Sequence, residues 1–174
     1  MKTLISGLLA ALLALGGTAA LAQSAAPNDA QIAGIVVAAN TVDINAAKVA
    51  KSKSHNKSVK EFAQRMITDH SGVNKQATAL VTKLRVTPED SDTSKSLKEG
   101  GAANVKNLKT LKGGEFDKAY IDNEVTYHQA VLDAIDQTLL PNAQNAELKD
   151  LISKVRPAID AHLQMAKQIQ GAMK

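Results

Sequence analysis

The chain has 174 residues, 21 basic and 17 acidic side chains, a formal charge of +4, and neither cysteine nor tryptophan. Without cysteine there is no disulfide framework and no thiolate metal site, so an exported form must hold itself by packing alone. The mild basic excess suits solubility and weak anion contact, and it does not demand nucleic acid.

Met1-Lys2 supplies a short positive start, and Leu4 to Leu15 is apolar apart from Ser6 and Gly7. Ala20-Leu21-Ala22 then presents the small-x-small pattern of a signal-peptidase site. Residues 1–22 are therefore expected to be a signal peptide cleaved after Ala22, with residues 23–174 as one domain. The leader is too short to span a bilayer and no second apolar segment is expected to follow. With no cysteine for a lipid anchor, the expected compartment is the periplasm.

The first helix is predicted from Asn28, where Asn28 and Gln31 fit a capping box, and it frays near Lys53. Its stripe is Ile32, Ile35, Val36, Ala39, Val42, Ala46 and Val49. The second is predicted from Ser58, paired with Glu61, and carries Phe62, Met66, His70, Val73, Ala77 and Leu84 inward. Thr87-Pro88-Glu89-Asp90 closes it. From 91 to 112 the helical signal weakens, with Gly100-Gly101 predicted to interrupt it and Gly113-Gly114 to end it. The third long helix is predicted over 115–139, with Phe116, Tyr120, Glu124, His128 and Leu132 inward, followed by a turn at Leu140-Pro141-Asn142. The fourth covers 143–172 through Leu148, Ile152, Ile159, His162 and Ala166, with Pro157 expected to bend it.

Connection lengths specify a topology. Short joints make helices one and two, and helices three and four, antiparallel hairpins. The stretch 91–112 is too long for a turn; as partial helix it spans roughly 30–40 Å, the length of a bundle. The expected fold is therefore all-α, a ferritin-like four-helix bundle of two antiparallel hairpins joined by a long, partly helical crossover.

Three of the four histidines, His70, His128 and His162, fall on the apolar stripes of three different helices, and His55 falls in a polar turn. Counting the helical rise from one end places His70, His128, His162, Asp43 and Glu124 within a band of roughly 8 Å. Inward imidazoles need a hydrogen-bond partner, a proton or a metal.

The run Phe62-Ala63-Gln64-Arg65-Met66-Ile67-Thr68-Asp69-His70 resembles a family of exported bacterial ferritin-like proteins. So do Phe116-Asp117-Lys118-Ala119-Tyr120 with Tyr127-His128-Gln129, and Pro157-Ala158-Ile159-Asp160-Ala161-His162-Leu163. That family is domain of unknown function 4142, often labelled predicted outer-membrane protein. The resemblance covers nearly all of the mature chain and implies the fold and the three histidine positions, but no activity.

Di-iron members of the ferritin-like superfamily use a glutamate on each of two helices and a Glu-x-x-His on each of the others. Here the corresponding segments read Ile67-x-x-His70 and Ile159-x-x-His162, so the bridging carboxylates are replaced by isoleucine. Asp43 and Glu124 stand where the single carboxylates belong. Dinuclear oxygen chemistry is not expected, and the reading leans away from an enzyme. Three imidazoles with Asp43 and Glu124 suit one divalent Zn, Cu, Ni or Fe ion. The competing reading is a structural polar layer of neutral imidazoles bonded to Asp43, Asp69, Glu124, Tyr120, Tyr127 or backbone, in a non-catalytic envelope interaction module. Asp69 is read as a helix-surface or interhelical partner rather than a ligand, and Met66 and Met165 as core filling.

Lys48, Lys51, Lys53, Lys57 and Lys60 surround His55 at one tip. They are read as a solvated turn capable of weak contact with an anionic surface. No nucleophile elbow or phosphate loop is present. The expected partner is an unidentified envelope component and not nucleic acid, and the expected state is a monomer or small homo-oligomer.

Overall fold

The structure is a computed structural model and describes residues 26–173, so the leader and its cleavage site lie outside the described residues. Five helices form one packed bundle, with no strand among the described residues. They are α1 (Asp29–Lys53), α2 (Lys57–Leu84), α3 (Asp92–Thr110), α4 (Gly113–Ala134) and α5 (Ala146–Ala172). The chain runs on from α4 through a π-helical segment, Ile135–Leu139, into a short α-helical stretch, Leu140–Asn142.

Asn28 caps α1 in a capping box with Gln31, as predicted. The cap of α2 is Asn56 and not Ser58; its side chain accepts from the backbone N–H groups of Ser58 and Val59. Asparagine is as good an N-cap as serine, and its position two residues earlier wins the two free donors. Asn145 does the same for α5, which therefore starts three residues later than predicted.

Hydrogen bonds between the ends trace the path of the chain. The Glu89 N–H donates to the Ala30 carbonyl, which places the start of α3 beside the start of α1. At the other end the Lys53 ammonium donates to the carbonyls of Leu108, Lys109 and Leu111 at 2.7–3.1 Å. It also lies 5.2 Å from the Phe116 ring centre. The stretch 91–112 thus runs the length of the bundle. Lys53 is therefore not one of the free cations of the tip: it caps the carbonyls at the end of α3, where the helix dipole favours positive charge. At the opposite end Asp29 accepts from the N–H groups of Gln144 and Asn145, both at 2.9 Å.

Gly100-Gly101 does not break α3, which is continuous. A Cβ on Gly101 would meet Val42 side-chain carbons at 2.5, 2.7 and 3.1 Å. Close packing on α1 is what this glycine permits, and it outweighs the weak helix propensity. Gly113 takes φ +54°, the left-handed region, and turns the chain from α3 into α4. Leu140-Pro141-Asn142 is helical rather than a turn. The π segment immediately precedes Pro141, which has no N–H for the carbonyl four residues back.

Contrary to expectation, a second apolar segment exists: α1 is long and apolar enough to cross a membrane by length and composition. In the bundle it packs against α2, α3 and α4, and a helix enclosed on several sides is apolar nearly all round.

The core has two parts. One gathers Ala46, Ala50, Phe62, Met66, Phe116 and Tyr120 near the α1–α2 turn. The other gathers Ile32, Ile35, Leu132, Leu139, Ile152 and Ile159 toward the far end. Along α1, α2 and α4 the buried polar side chains fall between these two sets, and His162 of α5 lies close to where they meet.

Candidate metal centre

The buried polar residues between the apolar clusters are Asn40, Asp43, His70, Glu124, His128 and His162, each 5% exposed or less. All five candidates read from the sequence are therefore inside and at one level. The ring centres of His70, His128 and His162 are 5.2–5.7 Å apart. One ring nitrogen from each histidine lies within 4.8 Å of the other two, and donors of Asp43, Glu124 and His128 form a second such group.

Each imidazole is oriented from behind. The Asn40 amide nitrogen donates to the Val36 carbonyl at 2.9 Å, so its oxygen faces His70 Nδ1 at 2.7 Å. That oxygen can only accept, hence His70 carries its proton on Nδ1. His128 Nδ1 lies 2.9 Å from the Glu124 backbone carbonyl, and the same reasoning puts its proton there. His162 Nε2 lies 2.9 Å from Asp69 Oδ2 and donates to it. Arg65 holds Asp69 from outside at 3.2 Å.

The opposite nitrogens face the interior. His128 Nε2 and His162 Nδ1 have no hydrogen-bond partner, and neither do Asp43 Oδ1 or Glu124 Oε2, whereas His70 Nε2 and Asp43 Oδ2 lie within hydrogen-bonding distance of each other. Asp43 Oδ2 stands 2.9 Å from His70 Nε2 and 3.4 Å from His128 Nε2. Two donors on one ion at ~2.0–2.2 Å sit roughly 2.9–3.6 Å apart, so these separations match a shared coordination sphere.

Burial pushes the His128 ring down to about 4, against the attraction of Asp43. It lowers His162 as well, although Asp69 opposes it. Burial also works against ionised Asp43, but His70, with His128 and His162, holds its carboxyl below the ordinary value. Glu124 is pushed well above the carboxylate range, first by burial and then by Asp43. The environment therefore favours the ionised form of Asp43, the proton-bearing form of Glu124 and neutral rings at His128 and His162. Tyr120, raised by burial and by Glu124, keeps its proton.

Of the two roles read for Asp69, the interhelical one holds: it partners His162. Ile67 and Ile159 pack with the apolar clusters, so the positions of the di-iron glutamates are core here. Met66 is fully buried in the core and Met165 packs against it, which is the filling role expected. Asn40 is the site residue that sequence reading missed. Its signal was an amide on the apolar stripe of α1, three residues before Asp43.

The fold and the cluster define a class: a helical bundle with a buried histidine–carboxylate group able to accommodate a metal ion. The chain belongs to the family described as Domain of unknown function (DUF4142), whose model matches residues 15–169. No curated protein and no solved structure matches it.

Proposed function

We propose that this chain is an exported ferritin-like bundle that holds a single divalent transition-metal ion, for metal handling or stress protection in the bacterial envelope. In this reading α1–α2 and α4–α5 are the two hairpins and α3 is the crossover. His70, His128 and His162 supply three nitrogens, and Asp43, with Glu124 beside it, supplies carboxylate oxygen. The exported, periplasmic setting rests on the leader-like residues 1–22.

The observation that carries the reading is the pairing inside each ring. One nitrogen of each imidazole donates to an acceptor behind it, and the other turns inward to the space shared with Asp43. Metal-bound histidines are oriented in this way, because an acceptor on the far N–H fixes the tautomer and raises ligand basicity. Three imidazoles with carboxylate oxygen suit Zn, Cu, Ni or Fe better than Mg or Ca. An incoming dication also meets the one buried negative charge, Asp43, which in its absence has only imidazoles to offset it.

A second reading has its own support. The 2.9 Å separation of His70 Nε2 and Asp43 Oδ2 also fits a shared proton, giving a structural polar layer in an envelope interaction module. Metal analysis of protein purified from its native compartment without a histidine tag separates the two. The metal reading expects close to one ion per chain, and a metal-free protein that gains no thermal stability from Zn, Cu, Ni or Fe leaves the polar layer alone.

A further inference from the structure

An apolar cavity of about 140 Å³ lies in the far half of the bundle, separate from the cluster of lone pairs. Ile35, Val73, Ile152 and Ile159 form much of its wall, and Ile135 and Leu139 come from the π-helical segment. Thr93 and Ala130 line it and are exposed, so its mouth opens between the start of α3 and α4. Its inner wall includes Asn40 and Tyr127.

No charged side chain lines this space. Its inner polar groups are already engaged: the Tyr127 hydroxyl donates to the Ala39 carbonyl at 2.9 Å, and Asn40 serves Val36 and His70. A water needs two to four polar partners, and an apolar cavity without them stays dry. Burying a charged ligand without a partner is costly. Cavities of roughly 150 Å³ with aliphatic walls take up benzene, whereas a peptide or a long acyl chain does not fit such a volume. The π segment is the second sign. π-bulges are uncommon and cluster at functional sites, and here the five-residue π stretch begins and ends with residues that line the cavity.

We infer that this cavity is a binding site for one neutral, apolar molecule of about the size of benzene. Asn40 forms the shared wall between it and His70, so the occupant sits against the residue that orients one imidazole. The inference does not depend on a metal.

Benzene is the probe, added to the metal-free protein, with benzoate as the charged control. At ten times its Kd, benzene is expected to raise Tm by roughly 3–6 °C and to shift the methyl resonances of Val73 and Ile135; benzoate should do neither. Ala134→Leu, which fills the cavity from α4, should abolish both responses. Ala130→Leu at the exposed mouth tests the same loss should the first variant fold poorly. His162→Ala should keep the response, which separates failure of this inference from failure of the metal reading. Unshifted wild-type methyls in benzene-saturated buffer, an equal effect of benzoate, or an undiminished response in the filled variants would overturn the proposal.

Discussion

Asn40 and His70 fix one another. Because the Asn40 amide nitrogen is taken by the Val36 carbonyl, its oxygen meets His70 Nδ1 at 2.7 Å and the free nitrogen of that ring points at Asp43. A residue on α1 thereby sets the tautomer of a ring on α2, and the direction of its lone pair follows.

Replacing Asn40 by leucine keeps the shape and removes the acceptor. The buried His70 N–H is left unsatisfied, at a cost of about 1–3 kcal/mol in denaturant unfolding. Metal affinity, measured by competition with a chelator, should drop by roughly 10–100-fold. Unchanged stability and affinity together would mean that the Asn40–His70 contact orients nothing.

Acid should destabilise the fold before the carboxylates titrate. His128 is held at about 4 against 6.5 when unfolded, and His162 is lowered too. The unfolded chain then binds protons that the folded chain refuses. Their contribution is complete above pH 6.5 and is lost as pH falls toward 4. Glu124 has the opposite sign, because its raised value makes ionisation of the unfolded chain cost stability as pH rises above 4.5. Glu124→Gln should therefore raise the urea midpoint at about pH 7 and steepen the loss on the acid side. A midpoint in that variant lower than wild type at neutral pH would contradict the upward shift of Glu124.

Gly34 on α1 and Gly100 on α3 make different demands. A Cβ on Gly34 would lie 2.1 Å from the Glu89 carbonyl oxygen, which is backbone and cannot swing aside. Gly34→Ala is expected to cost about 1–3 kcal/mol or more. Gly100 has open space around it, so Gly100→Ala should gain about 0.5–1 kcal/mol from helix propensity. Thermal unfolding of the pair checks both signs at once.

Lys53 and Lys51 are neighbours in sequence with different roles. Lys53→Ala frees three carbonyls at the end of α3 and should cost about 1–2 kcal/mol. Lys51 is exposed, and Lys51→Ala should stay within about 0.5 kcal/mol. Equal effects in chemical denaturation would show that the α3 cap carries no weight.

Much of this centre could be read before any coordinates. Helical periodicity put His70, His128 and His162 on three inward stripes, and the fixed rise per residue brought Asp43 and Glu124 to their level. The length of the segment between Pro88 and Gly113 pointed to a stretch running from one end of the bundle to the other. What stayed hidden depends on tertiary contact. Gly101 reads as a break until Val42 is seen against it. Asn56 and Ser58 are both adequate caps, and the local pattern does not choose between them. Lys53 looked like one more solvated lysine, because the carbonyls it reaches lie more than fifty positions away in the chain. Asn40 was passed over because the stripe was traced through apolar residues only.

In the proposed centre three imidazole nitrogens and Asp43 share one ion. Native mass spectrometry of the metal-free mature protein, titrated in turn with Zn, Cu, Ni and Fe, tests it most directly. Wild type is expected to take up a single ion per chain with at least one of these metals, and both His70→Ala and His162→Ala are expected to lose that uptake. A wild-type protein that retains none of the four, or histidine variants that retain the ion as well as wild type does, would contradict it.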